Sequence, residues 1–343
     1  MTVKEIARLA GVSPSTVSIV LNGKAGVGSE KRERITALLL ENGFTIRDAD
    51  GAGSQPKGTV KFIRYRATGN FVERNDDFIT QVMEGVDAAL RRCKYTMSVV
   101  NVDDSDFETV LGGLRYENIV GVIFLGTEFD AERYGVLADL EFPVVAVDNC
   151  FRNYPINSVD MANIEGARLA LRHLYDKGHR RIGYLKGSIR TGSLKERCAG
   201  VYQAMHTLGL KMREEDVVRI EPVVNGACED VCRYLAGRPS LPTAFFADND
   251  VMATGALRAF QRCGLRVPAD VSLVGFDDSL IGSVIEPALT TIHIFKREMG
   301  EIAAKRLIDM METGDRCIAK TSVGVTLVER DTVAAPRDGE IVW

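Results

Sequence analysis

Four short hydroxyl side chains, Ser13, Ser15, Thr16 and Ser18, fall together in the segment GVSPSTVSIVLNG, with Ile19 and Asn22 just behind them. Hydroxyls and a carboxamide grouped this way suit hydrogen bonding to phosphates and base edges. Covalent chemistry would need a nucleophile with its base, and no Ser-His-Asp or metal-ligand pattern stands out around only four histidines. Ser13 suits a helix N-cap, and Pro14 the first helical position, where its missing N–H costs nothing. Val17, Val20 and Leu21 then recur at helical spacing and turn inward, leaving Ser15, Thr16 and Ser18 facing out at the start of the helix.

The elements that would position these groups lie on either side. Lys4 to Ala10 reads as a first helix with Ile6 and Leu9 on its inner face, ended by Gly11 where a tight turn tolerates positive φ. Val12 fills the space between the helices. A third helix follows, with Ser29 as its cap and Ile35, Leu38, Leu39 and Phe44 on its buried side. This is a helix-turn-helix pattern with the second helix available for a DNA groove; a helical hairpin packed on another domain shares it. Charge favours DNA. Residues 1–47 hold seven Lys or Arg and four Asp or Glu, about +3, while the chain carries −4, leaving about −7 elsewhere. A basic head and an acidic body suit contact with phosphate at one end only.

A chain of 343 residues implies two or three domains. Lacking a run of about 18 apolar residues and an apolar leader near Lys4, Glu5 and Arg8, it is expected to be cytoplasmic, with no membrane partner. Its seven cysteines form no C-x-x-C pair and read as reduced, mostly buried thiols; Cys228 and Cys232 lie one helical turn apart without zinc-type companions. No metal and no cofactor is expected. Residues 48–58, polar and rich in Gly and Asp, read as a linker. From Thr59 onward buried strands alternate with amphipathic helices in two successive series, which implies two doubly wound parallel sheets and a cleft between two lobes. Ligands of such sheets bind beyond the carboxyl ends of the strands, so polar residues directly after strands are the candidates.

The ordered motifs VVAVDN, KGHRRIGYLKGS, ERCAGVYQAM, ADNDVMATGALRAF, GLRVPADVSLVGFDDS, PALTTIHIFKREMG and LVERD, together with the head, resemble the lactose-repressor (LacI/GalR) family of bacterial transcription regulators from residue 2 to about 331. The resemblance implies an all-α helix-turn-helix head on an α/β two-lobed, periplasmic-binding-protein-like sensor. It also implies a homodimer binding double-stranded operator DNA, and a small-molecule effector, a sugar or related metabolite, in the cleft. Crossings between lobes are expected near 158, 290 and 321, giving one lobe of 59–158 with 291–320 and another of 159–290 with 321–331. The resemblance carries over Asp148, Arg197 and Asp277 as ligand contacts, with carboxylates accepting from hydroxyls and a guanidinium fork donating to oxygens. The less favoured alternatives are helix or turn caps for the aspartates and a cross-lobe ion pair for the arginine. Phe78, beside Ile79 at the start of the first sensor helix, is either a stacking ring or plain core. Glu128, Asn249 with Asp250, and Phe276 follow strands and complete the candidate ligand set, while His293 reads as structural.

Two departures from the family stand out. Its usual VSRVLNG is here VSIVLNG, so Ile19 replaces an Arg that would pair with a guanine edge. The linker RDADGAGSQPKG lacks the wedging Leu of a hinge helix and holds three glycines, so no stable minor-groove wedge is expected. No heptad extension follows LVERD, which favours a dimer over a coiled-coil tetramer. The competing readings are a purine-like corepressor in the same cleft, an enzyme on a Rossmann-like scaffold, and a solute-binding receptor. An enzyme would need a nucleotide fingerprint, and the G-x-G of GAGSQ lies in the linker and opens no helix. A receptor would lack the head.

Overall fold

The computed structural model describes residues 2–22, 24, 26–44, 56–67, 76–189, 191–237 and 239–337. It divides into two compact units, Met1–Lys57 and Gly58–Trp343. Of the linker expected over 48–58, residues 48–55, on which the hinge-helix expectation falls, lie outside the described residues, while Gly58 already belongs to a strand of the second unit.

The first unit holds α1 (Val3–Ala10), α2 (Pro14–Leu21) and α3 (Ser29–Glu41). Thr2 and Glu5 close a capping box on α1, and Gly11 ends it at φ 66°. Ser13 caps α2 with its Oγ accepting from the Thr16 N–H at 3.2 Å. Ile6, Ala7, Ala10, Val17, Val20, Ile35 and Leu39 form the core, with Val12, Leu38 and Phe44 packed against it. Leu9, expected inside, is half exposed, because the inner stripe of α1 runs through the small residues Ala7 and Ala10 instead. Nor does Ser29 cap α3: Gly28 occupies that position and no side chain caps the helix.

The second unit is built on two parallel sheets. The first has six strands in the order β11 (Lys320–Val323), β5 (Asn157–Met161), β4 (Val144–Val147), β3 (Ile119–Leu125), β1 (Gly58–Arg66) and β2 (Tyr95–Asp103). On one face lie α4 (Asp76–Arg92) and α12 (Lys296–Thr313), on the other α5 (Phe107–Gly113) and α6 (Gly135–Ala138). The second sheet runs β7 (Val217–Ile220), β6 (Ile182–Gly187), β8 (Ala244–Ala247) and β9 (Ser272–Val274). It is covered by α7 (Asn163–Asp176) and α8 (Gly192–Thr207) on one side and by α9 (Val224–Ala236) and α10 (Asp250–Arg262) on the other. The short α11 (Leu280–Val284) follows β9. A two-stranded antiparallel ribbon, β10 (Thr291–Ile294) with β12 (Val325–Val328), is bridged to the second sheet through Val274–Thr290 and Asp277–His293.

The chain passes between the sheets around Ala162, Phe295 and Gly324, a few residues beyond the expected positions. β5 and β10 each extend past the expected points, and residues 320–323, assigned to the second lobe beyond 320, pair instead with β5 at the edge of the first sheet. One continuous apolar core runs from Phe62, Val82 and Met299 through Met161 to Ala170, Tyr184 and Phe276, so the two sheets share buried surface near the crossings.

The α4–α12 contact is close enough to require glycine on both helices. A Cβ on Gly300 would sit 2.0 Å from the Val82 carbonyl oxygen, and one on Gly85 would sit 1.9 Å from that of Arg297. Backbone cannot yield as a flexible side chain can. Gly300→Ala is therefore expected to lower stability by about 1–3 kcal/mol, read as a shifted urea midpoint. An unchanged midpoint would show that the helices can separate at no cost.

Candidate functional site

In the head, the hydroxyls singled out above form a linked group at the start of α2. Ser13 Oγ lies 2.6 Å from Ser15 Oγ and 2.8 Å from Thr16 Oγ1. Ser15 and Ser18 are exposed, and Thr16 and Ile19 half-buried. The role of Ser13 is thus capping, which fixes the helix entry and orients its neighbours. Asn22 is committed in part to the helix end, its Nδ2 donating to the Ser18 carbonyl at 2.8 Å and lying 3.3 Å from Ser18 Oγ. The exposed hydroxyls and the Ile19 side chain form a short outward face of a helix start, suited to base edges and phosphates.

In the larger unit, the second cluster gathers at the carboxyl ends of strands from both sheets. Asp148 directly follows β4 with φ 59°, and Asp277 lies beyond β9 with φ 112°. For a non-glycine residue such values are sparsely populated and need support from the surroundings. Asp148 Oδ2 accepts from Thr127 at 2.6 Å, and its Oδ1 accepts from Ser193 of α8 at 3.0 Å, a contact from the first sheet's side to the second's. Arg197 sits in the second turn of α8, which begins at Gly192 under a Thr191 cap, earlier than the motif suggested. Its guanidinium is held on every side. Nε donates to Asn163 Oδ1 at 2.9 Å, Nη1 to the Asp248 carbonyl at 2.6 Å, and Nη2 lies 3.3 Å from Met161 Sδ and 3.1 Å from Asp277 Oδ1. The Phe276 ring lies 3.8 Å from its Cζ.

The structure therefore brings Asp148, Arg197 and Asp277 into one buried, charge-linked group; Arg197 acts on both carboxylates. The remaining candidates make other contacts. Phe276 does not form the cleft wall: it is fully buried beneath Arg197, edge-on to Phe246. Phe78 is likewise core, 3 % exposed with Val82 and Val86, since its face of α4 packs on the first sheet. Asn249, and not Asp250, caps α10, its Oδ1 accepting from the Met252 N–H at 2.9 Å. Asp250 instead ties Ser279 and Thr291 together, at 2.7 Å to the Ser279 N–H and 2.5 Å to the Thr291 hydroxyl. Glu128 accepts from the Ala67 N–H at 2.9 Å and so holds the end of β1. His293 pairs with Asp278 at 2.8 Å.

Several groups around this cluster escaped the sequence reading. Asn163 orients Arg197. Asp248 receives Tyr184 at 2.5 Å and the Gly187 N–H at 2.9 Å while its carbonyl faces Arg197. Lys296, buried at the start of α12, bonds Asp77 of α4 at 3.2 Å and the Asp278 carbonyl at 3.1 Å, spanning both lobes. Asp248 and Thr127 each follow a strand, so the rule that ligands meet strand ends could have found them. Nothing local marks Asn163 or Lys296. Among the described residues Cys150, Asp160 and Glu196 place potential metal-ligand atoms within 4.8 Å of one another, but Arg152 already pairs with Glu196.

Burial dominates the electrostatics. It pushes Asp148 and Asp248 up to about 6 and Asp250 up to about 7, the last with help from Asp277. Asp160 is also raised well above the usual carboxylate range by burial and by the nearby Asp148 and Glu196. A carboxyl group whose pKa is higher folded than unfolded contributes stability at low pH and loses it as pH rises through the folded value. Asp270 has the opposite sign: its hydrogen bond to Arg266 pulls it down to about 2, so its contribution is lost only in strong acid. Each tenfold change in proton affinity corresponds to about 1.4 kcal/mol. The melting temperature is thus expected to fall as pH rises from about 4 to 7, most steeply near 5, and to level off above about 7. A flat profile across that window would show that the cluster is solvated.

Known proteins resemble this chain over nearly its whole length. Residues 2–45 match the family profile described as "Bacterial regulatory proteins, lacI family", and residues 171–333 match "Periplasmic binding protein-like domain". The HTH-type transcriptional repressor PurR of Yersinia enterocolitica is 30 % identical over 343 residues, covering 97 % of each chain. The ribose operon repressor of Haemophilus influenzae is 27 % identical over 340 residues, covering 97 % of this chain and 98 % of its own. Two solved structures superpose with TM-scores of 0.73: a transcriptional regulator CelR–cellobiose complex (26 % identity, 97 % and 99 % coverage) and a lac repressor dimer bound to operator and the anti-inducer ONPF (27 %, 98 % and 99 %). Among the described residues, no helix is long and apolar enough to cross a membrane.

Proposed function

Because the chain belongs to the lacI family of bacterial regulatory proteins, and is a ligand-responsive DNA-binding transcriptional repressor, we propose specific residues for its two recognition surfaces. Ser15, Thr16, Ser18 and Ile19 read one operator half-site, with Ser13 and Asn22 holding the reading helix in shape. The protein acts as a homodimer, since paired half-sites need two heads. It performs no catalysis of its own. Residues 58–161 with 296–323, and 162–295 with 324–331, are the two lobes that close on the effector.

In the cleft, Asp148 and Asp277 accept hydrogen bonds from effector hydroxyls, and the Asn249 amide and Ser193 complete the polar wall. The observation that carries this reading is the saturation of Arg197: Asn163, Asp248, Met161 and Asp277 already engage its guanidinium. A multiply anionic effector would have to displace those partners and face buried carboxylates. A neutral polyhydroxylated molecule, a sugar or close relative, meets carboxylate oxygens that keep further lone pairs to accept its hydroxyls. A purine-like corepressor in the same cleft is disfavoured by the rings, since Phe78 packs in the core against the first sheet and the face of Phe276 is covered by the Arg197 guanidinium. A thermal-shift screen with sugars, sugar acids, sugar phosphates and purines tests the reading. A bound effector at a hundred times its Kd adds about 2.7 kcal/mol. Stabilisation by a sugar phosphate or a purine, and by no neutral sugar, would overturn it.

On the DNA side, Ile19 shapes sequence preference more than overall affinity. Its side chain offers an apolar contact, suited to a thymine methyl, where a guanidinium would grip guanine. Ile19→Arg is expected to favour guanine at one symmetric position per half-site by about 1–3 kcal/mol. Sites selected from random DNA by both versions provide the check; the same consensus from each would refute it.

A further inference from the structure

Three of the seven cysteines meet where α9 packs on α10, on the side of the second sheet away from α7 and α8. Cys228 and Cys232 lie one turn apart on α9, and Cys263 caps the end of α10. The Cys232 thiol lies within interaction range of both Cys228 and Cys263. The register of the two helices accounts for this. Their backbones touch at Gly255, whose Cβ would fall 2.5 Å from the Val224 carbonyl oxygen and 2.6 Å from Ala227 Cβ. Both helices follow parallel strands, so they run in the same direction. Eight residues on from Val224 stands Cys232, and eight on from Gly255 stands Cys263. Cys228 is buried, Cys232 partly so, and Cys263 exposed.

Neither the effector cluster nor the operator face uses these thiols. The α10 helix starts at Asn249, beside the cluster, and Cys263 lies at its far end, about 20 Å along the axis at 1.5 Å per residue. Arg262 Nη1 lies 3.5 Å from Cys228 Sγ, adding positive charge to the group. Burial pushes the Cys228 and Cys232 thiols up, with the Arg262 guanidinium opposing. The exposed thiol is therefore the one placed to meet an oxidant, and Cys232 the one placed to answer it.

We infer that Cys232 and Cys263 form a reversible disulfide when the protein meets hydrogen peroxide, making the α9–α10 contact a thiol-oxidation site. Cys263 Sγ, as thiolate, attacks one peroxide oxygen and breaks the O–O bond. A sulfenic acid forms on Cys263, and the departing hydroxide takes a proton to become water. Cys232 Sγ then attacks the sulfenic sulfur, the S–O bond breaks, and a second water leaves. The two thiols are oxidised by two electrons and peroxide is reduced to two waters. The bond joins two helices of one chain, so it clips α9 to α10 and leaves subunit number unchanged.

The test is peroxide treatment of the full-length reduced protein, alkylation of remaining thiols, proteolysis and mass spectrometry, with a non-reducing gel alongside. The expected result is one intrachain peptide pair joining Cys232 to Cys263, a loss of two alkylatable thiols out of seven, and full recovery with dithiothreitol. Cys228→Ser should keep the linkage, whereas Cys263→Ser should abolish it while leaving the circular-dichroism melt in place. The inference is overturned if Cys232 and Cys263 both stay alkylatable while other thiols are consumed. It is equally overturned if the linkage joins two chains, or if Cys228 replaces Cys263 as the partner in the unaltered protein.

Discussion

Deleting residues 1–47 is expected to abolish operator binding and leave effector binding unchanged. The head closes its own core around Ile6, Val17, Val20, Ile35 and Leu39, and it carries the exposed hydroxyls of α2 and the excess of basic residues. What remains is acidic, at about −7 from the difference between the chain's −4 and the head's +3. Phosphate attraction supplies most non-specific affinity, so the truncated protein should lose even weak binding at low salt. The intact protein should show the opposite behaviour, a steep linear fall of log affinity with log salt. The unit Gly58–Trp343 forms its own compact body, so its response to effector should survive. A truncated protein that still shifts operator DNA in a gel would move the DNA-reading surface off the head.

Arg197→Ala is expected to weaken effector binding at least a hundredfold and to cost about 3–5 kcal/mol of stability, as removal of one partner from a buried ion pair does. It strands Asp277, leaves the Asp248 carbonyl and Asn163 without their donor, and uncovers the Phe276 ring. Loss of affinity in this variant could therefore follow from damage to the fold. Asp148→Asn separates the two effects. Burial already holds Asp148 near 6, so a neutral isostere should leave the melting temperature at pH 7 unchanged or higher. It would still exchange one acceptor oxygen for a donor toward the effector. Calorimetry should show weakened binding in Asp148→Asn with a normal melt, and operator binding retained in both variants. Unchanged effector affinity in both would remove the shared site.

Much of this was legible in the residues themselves. The helix-turn-helix could be read because its signals are local: a Ser cap followed by Pro, a glycine at the turn, and apolar residues at helical spacing. The two sheets could be read because buried strands alternate with amphipathic helices, and the family resemblance, in keeping with the rule that ligands meet strand ends, pointed to Asp148 and Asp277. Errors arose where a residue's face depends on a neighbour distant in sequence. Phe78 read as either a stacking ring or core, and Phe276 as a candidate for the cleft wall, until the first sheet and the Arg197 guanidinium covered them. Leu9 read as core by spacing, yet the alanines beside it let the helices pack without it.

By itself, then, the sequence determined the element types, their order, and the polar residues that end the strands, since caps, periodicity and turn residues act within a few positions of one another. Only the tertiary structure decided what those residues are free to do. The partners of Arg197 come from Met161, Asn163, Asp248 and Asp277, segments tens of residues away along the chain. The choice of Asn249 over Asp250 as cap, the span of Lys296 between lobes, and the meeting of Cys232 with Cys263 depend equally on such packing. Burial and charge pairing are sums over every element that closes on a site, and no short stretch of sequence contains the terms of that sum.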